Sequence, residues 1–166
     1  MSKFISLIVF LTLAGCGLAT ASEARKPYSS AIQKSHAASS PLHVRKVINH
    51  AHTLLGIPYL WGGMSKEKGF DCSGMLVYLF KQEANIHLPR TTADMLKAKK
   101  PTVARHALKP GDAVFFRTQG SARSNHVGLY IGDNRFIHAP RKGKTIRIDS
   151  LENSYWKKNY TTARRF

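Results

Sequence analysis

The stretch Phe70-Asp71-Cys72-Ser73-Gly74-Met75-Leu76-Val77-Tyr78-Leu79-Phe80 decides how the chain is read. It places one cysteine at the mouth of a helix. Asp71 suits the N-cap, where its carboxylate accepts a backbone N–H of the first turn. Met75, Leu76, Leu79 and Phe80 recur at helical spacing and define a face for burial. A thiol at a helix N-terminus meets unpaired N–H groups and the positive end of the helix dipole. That setting favours thiolate, the nucleophilic form. A nucleophilic thiol in turn needs a base, a group that orients the base, and donors for an oxyanion.

Upstream, Ser40-Pro41 offers a capping hydroxyl and a first-turn proline, which predicts a helix start. Val44, Val47, Ile48, Ala51, Leu54 and Leu55 follow in steps of three and four, and Gly56 closes the helix. His43, His50 and His52 lie on or near it. Their spacing makes no chelating face with a third ligand, so they are read as exposed polar positions. Ile57-Pro58-Tyr59-Leu60-Trp61-Gly62-Gly63 is an irregular approach to the cysteine helix, with glycines that let backbone come close to a substrate. Tyr59 belongs either to the core or, through its hydroxyl, to the site.

Downstream, Leu88-Pro89-Arg90-Thr91-Thr92 breaks the helix and starts a short one through Leu96. The basic run Lys97 to Lys100 reads as solvated surface. Turn chemistry at Leu108-Lys109-Pro110-Gly111-Asp112 leads into a buried strand, Ala113-Val114-Phe115-Phe116. Gly120 to Asn125 reads as a loop. A hairpin follows, with arms His126–Ile131 and Arg135–Ala139. Thr145–Ile148 is a further strand, and Tyr155–Thr161 a last one by composition. Helices precede strands, so the expected fold is α+β, with N-terminal helices packed on an antiparallel β-sheet.

The hairpin carries the candidate base. A three-residue loop Gly132-Asp133-Asn134, with Asn134 left-handed, would pair Ile131 with Arg135, Leu129 with Ile137 and Gly128 with His138. His126 and His138 would then share a face, because strand side chains alternate. A two-residue turn would put them on opposite faces. The odd-numbered loop is expected on chemical grounds. His126 is then the base for Cys72, in a thiolate–imidazolium pair, and His138 orients His126. The N–H of Cys72 and, where its hydroxyl belongs to the site, Tyr59 are the candidate oxyanion donors. The opposing readings are an inert buried thiol and a zinc site made of Cys72, His126 and His138. No fourth ligand is evident, and neither a metal nor another cofactor is expected.

The chain has 166 residues, room for one ordinary domain and some extra chain. It carries 26 basic and 9 acidic side chains, a formal charge of +17. Such a surface attracts polyanions, among them anionic wall polymer and lipid headgroups. No zinc-finger spacing or RNP-type motif accompanies the charge, so no specific nucleic acid is expected. The protein is expected to be a monomer. Of its two cysteines, Cys16 and Cys72, only Cys72 lies in the expected folded part.

The N-terminus reads as an address. A short basic start precedes an apolar run, Phe4 to Leu13, too short for a comfortable membrane span. The run ends in Leu13-Ala14-Gly15-Cys16, which resembles the bacterial lipobox. The expected organisation is a signal peptide over 1–15, a flexible tether over 16–40 attached to the membrane through lipidated Cys16, and a catalytic domain over 41–166. Gly17 after the cysteine would direct it to the outer membrane, facing the periplasm. Ala19-Thr20-Ala21 offers the competing cut, which would release a soluble periplasmic or secreted protein.

Five motifs in order resemble the NlpC family of bacterial cell-wall cysteine peptidases. They are Tyr59–Gly63, Phe70–Gly74, Leu88–Thr91, Leu108–Phe116, and His126–Tyr130 with Phe136–Ala139. The resemblance spans about residues 41–166. It implies a papain-like fold and cleavage of peptidoglycan stem peptides, typically between D-glutamate and the diamino acid. Cys72 matches the nucleophile, His126 the base, His138 the third polar residue and Tyr59 the oxyanion-side tyrosine. Asp71 and Ser73 match positions that in some members line the pocket for the stem-peptide N-terminus. The role of Arg90 in its motif is left open. No wall-binding module is expected before the catalytic part. A non-catalytic wall-binding lipoprotein, and a thiol amidase or acyltransferase, are the alternatives.

Overall fold

The computed structural model describes residues 42–118, 121–123 and 125–166. The expected signal peptide, Cys16, the tether and Pro41 lie outside these described residues. Three helices come first: α1 over Leu42–Thr53, α2 over Cys72–Ala84 and α3 over Thr92–Lys97. Between α1 and α2 a two-stranded ribbon pairs β1, Met64–Ser65, with β2, Gly69–Phe70. Then come β3 (Thr102–Val103), β4 (Ala113–Phe116), β5 (His126–Gly132), β6 (Arg135–His138) and β7 (Arg147–Ser150). Helix α4, Ser154–Asn159, and strand β8, Tyr160–Arg164, end the chain. The main sheet runs β3-β8-β4-β5-β6-β7, with every pairing antiparallel. This is the expected α+β arrangement.

Helix α2 begins where the sequence places it. Asp71 is its N-cap, its Oδ1 accepting the N–H of Gly74 at 2.6 Å, and Asn85 in the left-handed region ends it. Met75, Leu76, Leu79 and Phe80 are all buried. They pack with Val47, Ala51 and Leu54 of the first helical segment against Phe115, Val127, Leu129 and Ile137 of the sheet. Full burial of each such side chain contributes roughly 1.5–3 kcal/mol. Leu55, expected on the apolar face of α1, is exposed, because the regular helix ends at Thr53.

The opposite face of the sheet is also covered. Val114, Phe116, Tyr130, Phe136 and Ala163 form a second apolar cluster beneath Trp156. This corrects the reading of Tyr155–Thr161 as one strand. Asn153 caps a short helix by accepting the N–H of Tyr155, and α4 turns Trp156 down onto Phe116 and Phe136. Strand pairing resumes only at Tyr160.

The hairpin turn also differs from expectation. Asp133 (φ 50°) and Asn134 (φ 54°) are both left-handed, which makes a two-residue turn of the primed type favoured by twisted hairpins. Pairing runs Leu129↔Ile137, Tyr130↔Phe136, then Gly132↔Arg135. Ile131 is therefore the extra residue of a β-bulge, and Gly132 (φ 97°) supplies the backbone freedom beside it. The bulge restores the odd register that the expected three-residue loop would have given. Leu129 still faces Ile137, and both histidines lie on the Trp156 face.

Gly74 holds the helix end against the preceding turn. A Cβ there would run into the carbonyl oxygen of Gly63 and come within 2.9 Å of Asp71 Oδ1. Gly74→Ala is expected to destabilise the fold by about 1–3 kcal/mol, read as a lower urea midpoint. An unchanged midpoint would mean that this contact relaxes freely.

Candidate active site

Cys72 is the first residue of α2 and is half-buried. Its Sγ lies 3.7 Å from Thr92 Oγ1 at the start of α3. It shares a cleft of about 550 Å³ with Tyr59, Trp61, Asp71, Arg90 and His126. Burial pushes the Cys72 thiol up, and the hydrogen bonds from Val127 and Thr92 offset this only in part.

His126 opens β5, is almost fully buried, and stacks on the indole of Trp156. Its Nε2 lies 2.8 Å from Nδ1 of His138, and Nε2 of His138 lies 2.9 Å from Oδ2 of Asp149. The same Oδ2 accepts Nε1–H of Trp156 at 2.9 Å and Nη2–H of Arg147 at 2.8 Å. Burial acts to raise the Asp149 carboxyl, but bonds from His138 and Arg147 overcome it and hold the group down to about 2. Burial lowers both imidazoles. His126 lies well below the ordinary histidine value, helped by the charge of His138 and opposed by Asp149.

These contacts assign the protons. Ionised Asp149 only accepts, so Nε2 of His138 donates to it. Neutral His138 then accepts at Nδ1, so Nε2 of His126 is the donor and Nδ1 of His126 keeps the free lone pair. The chain of acceptors ends on the one nitrogen that His126 has left for a thiol.

Helix placement leads to the expectation of a thiolate–imidazolium pair between Cys72 and His126. Burial works against that pair, since desolvation raises the thiol and lowers the imidazole. Iodoacetamide alkylation of Cys72 is therefore expected to keep rising above the ordinary thiol value of about 8.5. A rate already on its plateau at neutral pH would show a preformed ion pair instead.

Tyr59 lines the cleft, and burial, then the charges of Cys72 and Asp71, raise its hydroxyl. Asp71 and Ser73 form a clamp with Arg90. Nη2 of Arg90 donates to Asp71 Oδ2 at 2.6 Å, and Nη1 donates to Asp71 Oδ1 at 3.1 Å and to Ser73 Oγ at 3.0 Å. Gly62 N–H completes the shell on Oδ2. Arg90 thus fixes the N-cap of the cysteine helix to the segment that leads into α3. Among the described residues no group of three or more His, Cys, Asp or Glu is arranged to hold a metal. His50, read as exposed, is half-buried, with Nδ1 2.7 Å from Glu83 Oε1 and its ring edge-on to Tyr78.

Asp149, Trp156 and Thr92 were not singled out from the sequence. The signal for Asp149 lies in the register between β6 and β7. Pairing β6 with β7 puts His138 opposite Arg147, and alternation then brings Asp149 to the same face.

The NlpC/P60 family profile matches residues 56–165. The chain belongs to the NlpC/P60 family. It is 41% identical over 138 residues to murein DD-endopeptidase MepH of Escherichia coli, covering 82% of this chain and 51% of that one. It is 43% identical over 110 residues to the E. coli protein named murein DD-endopeptidase MepS/murein LD-carboxypeptidase, covering 66% of this chain and 56% of that one. The chain thus spans about half the length of these curated relatives. An NlpC/P60 family protein from Bacillus cereus superposes with a TM-score of 0.68 at 35% identity, covering 74% of this chain and 40% of that one. The NlpC/P60 domain of the peptidoglycan hydrolase SagA superposes with a TM-score of 0.63 at 25% identity, covering 74% of this chain and 98% of that one. The fold is the papain-like one of the family.

Proposed function

We propose that this protein is an exported cysteine endopeptidase that cleaves peptides of peptidoglycan. The observation that carries the reading is the directed chain Asp149–His138–His126, whose His126 end lines one cleft with Cys72. His126 Nδ1 takes the thiol proton as Cys72 Sγ attacks the scissile carbonyl carbon. The N–H of Cys72 and the Tyr59 hydroxyl receive the oxyanion. The tetrahedral species collapses to a thioester as His126 returns the proton to the leaving amine. Water, with His126 again as base, then releases the acid and restores the thiol.

The family resemblance implies the bond between D-glutamate and the diamino acid. A second reading, cleavage of crosslinks in intact murein, is favoured by Asp71. A free stem-peptide amine needs an available carboxylate, and both oxygens of Asp71 are occupied by Arg90 and backbone N–H groups. The names of two relatives, murein DD-endopeptidases, favour the same reading. Digestion of purified peptidoglycan, with fragments identified by mass, tests both. Cleavage by wild type and none by Cys72→Ala is expected. Cleavage by both proteins removes the thiol mechanism, retention on the wall without cleavage supports a binding module, and an amide cut elsewhere supports the amidase alternative. Lipidation at Cys16 belongs to this proposal, and a palmitate label that survives Cys16→Ala would reject it.

A further inference from the structure

The cleft at Cys72 does not end at His126. A second one, of about 470 Å³, continues on the other side and shares Thr118, His126, Pro140 and Arg141 with the first. Beyond those it is lined by Arg147, Asp149, Asn153, Tyr155 and Trp156. His126 therefore stands between two connected spaces, only one of which holds the nucleophile.

The charge of the second space is unbalanced. It holds two guanidinium groups, on Arg141 and Arg147, against one carboxylate, on Asp149. That carboxylate is already spent. Its Oδ2 accepts from His138, from Trp156, and from Nε and Nη2 of Arg147. Arg147 is thereby largely neutralised. The Arg141 side chain makes no hydrogen bond or ion pair among the described residues, the residue's carbonyl alone accepting the N–H of Lys144. It begins an exposed turn, Arg141–Lys144, whose two lysines likewise have no acidic partner there. Asn153, which also lines the space, uses its side-chain oxygen on the N–H of Tyr155. The donors unclaimed by the protein thus face an acceptor that the protein does not provide.

We infer that this second space is the subsite for the amine-side fragment of the substrate and that Arg141 binds a free carboxylate on it. The inference rests on the endopeptidase reading above. The leaving amine must lie within reach of His126, which returns the proton to it, and the acyl side occupies the Cys72 cleft. The fragment carrying the amine then extends past His126 into the second space. A residue bearing a free carboxylate on that fragment, as a dicarboxylic diamino acid does, meets Arg141 as a charge-assisted pair. Tyr155, half exposed at the rim, and Trp156 beneath it give the fragment an apolar wall.

The test uses two synthetic stem peptides, cleaved by the full-length protein. They differ only in whether the residue after the scissile bond carries a carboxylate or the corresponding carboxamide. Wild type is expected to favour the acid, and Arg141→Ala is expected to lower the acid-to-amide ratio of kcat/KM about tenfold, chiefly through KM. Arg141→Lys should restore part of the ratio, and added salt should erode it. A ratio unchanged in Arg141→Ala overturns the assignment. If wild type cleaves neither peptide, the endopeptidase reading fails separately. The subsite is then tested by titrating the free acid fragment into Cys72→Ala and following Trp156 fluorescence. Saturation that is lost on adding Arg141→Ala supports the subsite, and no saturation, or saturation that persists, overturns it.

Discussion

Cys72→Ala and His126→Ala are each expected to lower kcat/KM on a stem peptide by at least about 10³-fold, and the double variant by little more than either alone. The nucleophile and its base act as one unit. Without Nδ1 of His126 the thiol has no acceptor, and burial holds it protonated. Without Sγ, the imidazole has nothing to deprotonate except water. The measurement is steady-state kinetics of the two single variants and the double variant, with circular dichroism to verify folding. His126→Ala needs that control, since its ring is buried between Phe116, His138 and Trp156. His126→Gln keeps much of the packing and should show the same kinetic loss. Losses that multiply in the double variant would mean that the two residues serve separate steps, and the thiol–imidazole mechanism would be wrong.

What the sequence makes legible here follows short-range rules. The cysteine helix, its Asp71 cap and its buried face come from spacing within one turn or two. The shared face of His126 and His138 rests on chemical grounds, because the apolar pattern of the two arms fits either parity. The turn itself is misread, since a three-residue loop and a two-residue turn with a bulge give the same parity. Only the backbone angles of Gly132, Asp133 and Asn134 separate them. The tertiary partners are harder to see. Asp149 reaches His138 across a strand pair formed after the 139–146 connection, and no local pattern sets that register. The Arg90 clamp joins residues nineteen positions apart, at a cap whose own motif is complete without it. Trp156 is read as part of a strand because its neighbours are aromatic. In the structure it lies on a helix of six residues, too short to show a period, that exists because Asn153 caps it and Trp156 has a pocket to fill.

Asp149→Ala is expected to reduce kcat/KM by about 10–100-fold and to move its acidic limb to lower pH. The sign follows from the charges around the histidines. Asp149 raises both imidazoles, while Arg147 lowers them. Removing the carboxylate leaves Arg147 unopposed beside a buried pair, so His126 drops further below the ordinary histidine value. Activity that rises with pH as His126 loses its proton therefore reaches its plateau earlier. The plateau itself falls, because the imidazolium formed when Cys72 gives up its proton has lost its counter-charge. The fixed tautomer goes as well, since nothing obliges His138 Nε2 to donate. Asp149→Asn separates the two effects. Its amide oxygen can take the bonds from His138 and Trp156 without the charge, so it should preserve proton placement and part of the rate, while shifting the acidic limb as alanine does. Loss of the cap on Trp156 Nε1 is expected to cost only about 1 kcal/mol of stability in the alanine variant. A purely structural role would lower the urea midpoint and leave the limb in place. A wild-type pH profile in both variants would sink the claim that Asp149 directs the histidine pair toward Cys72.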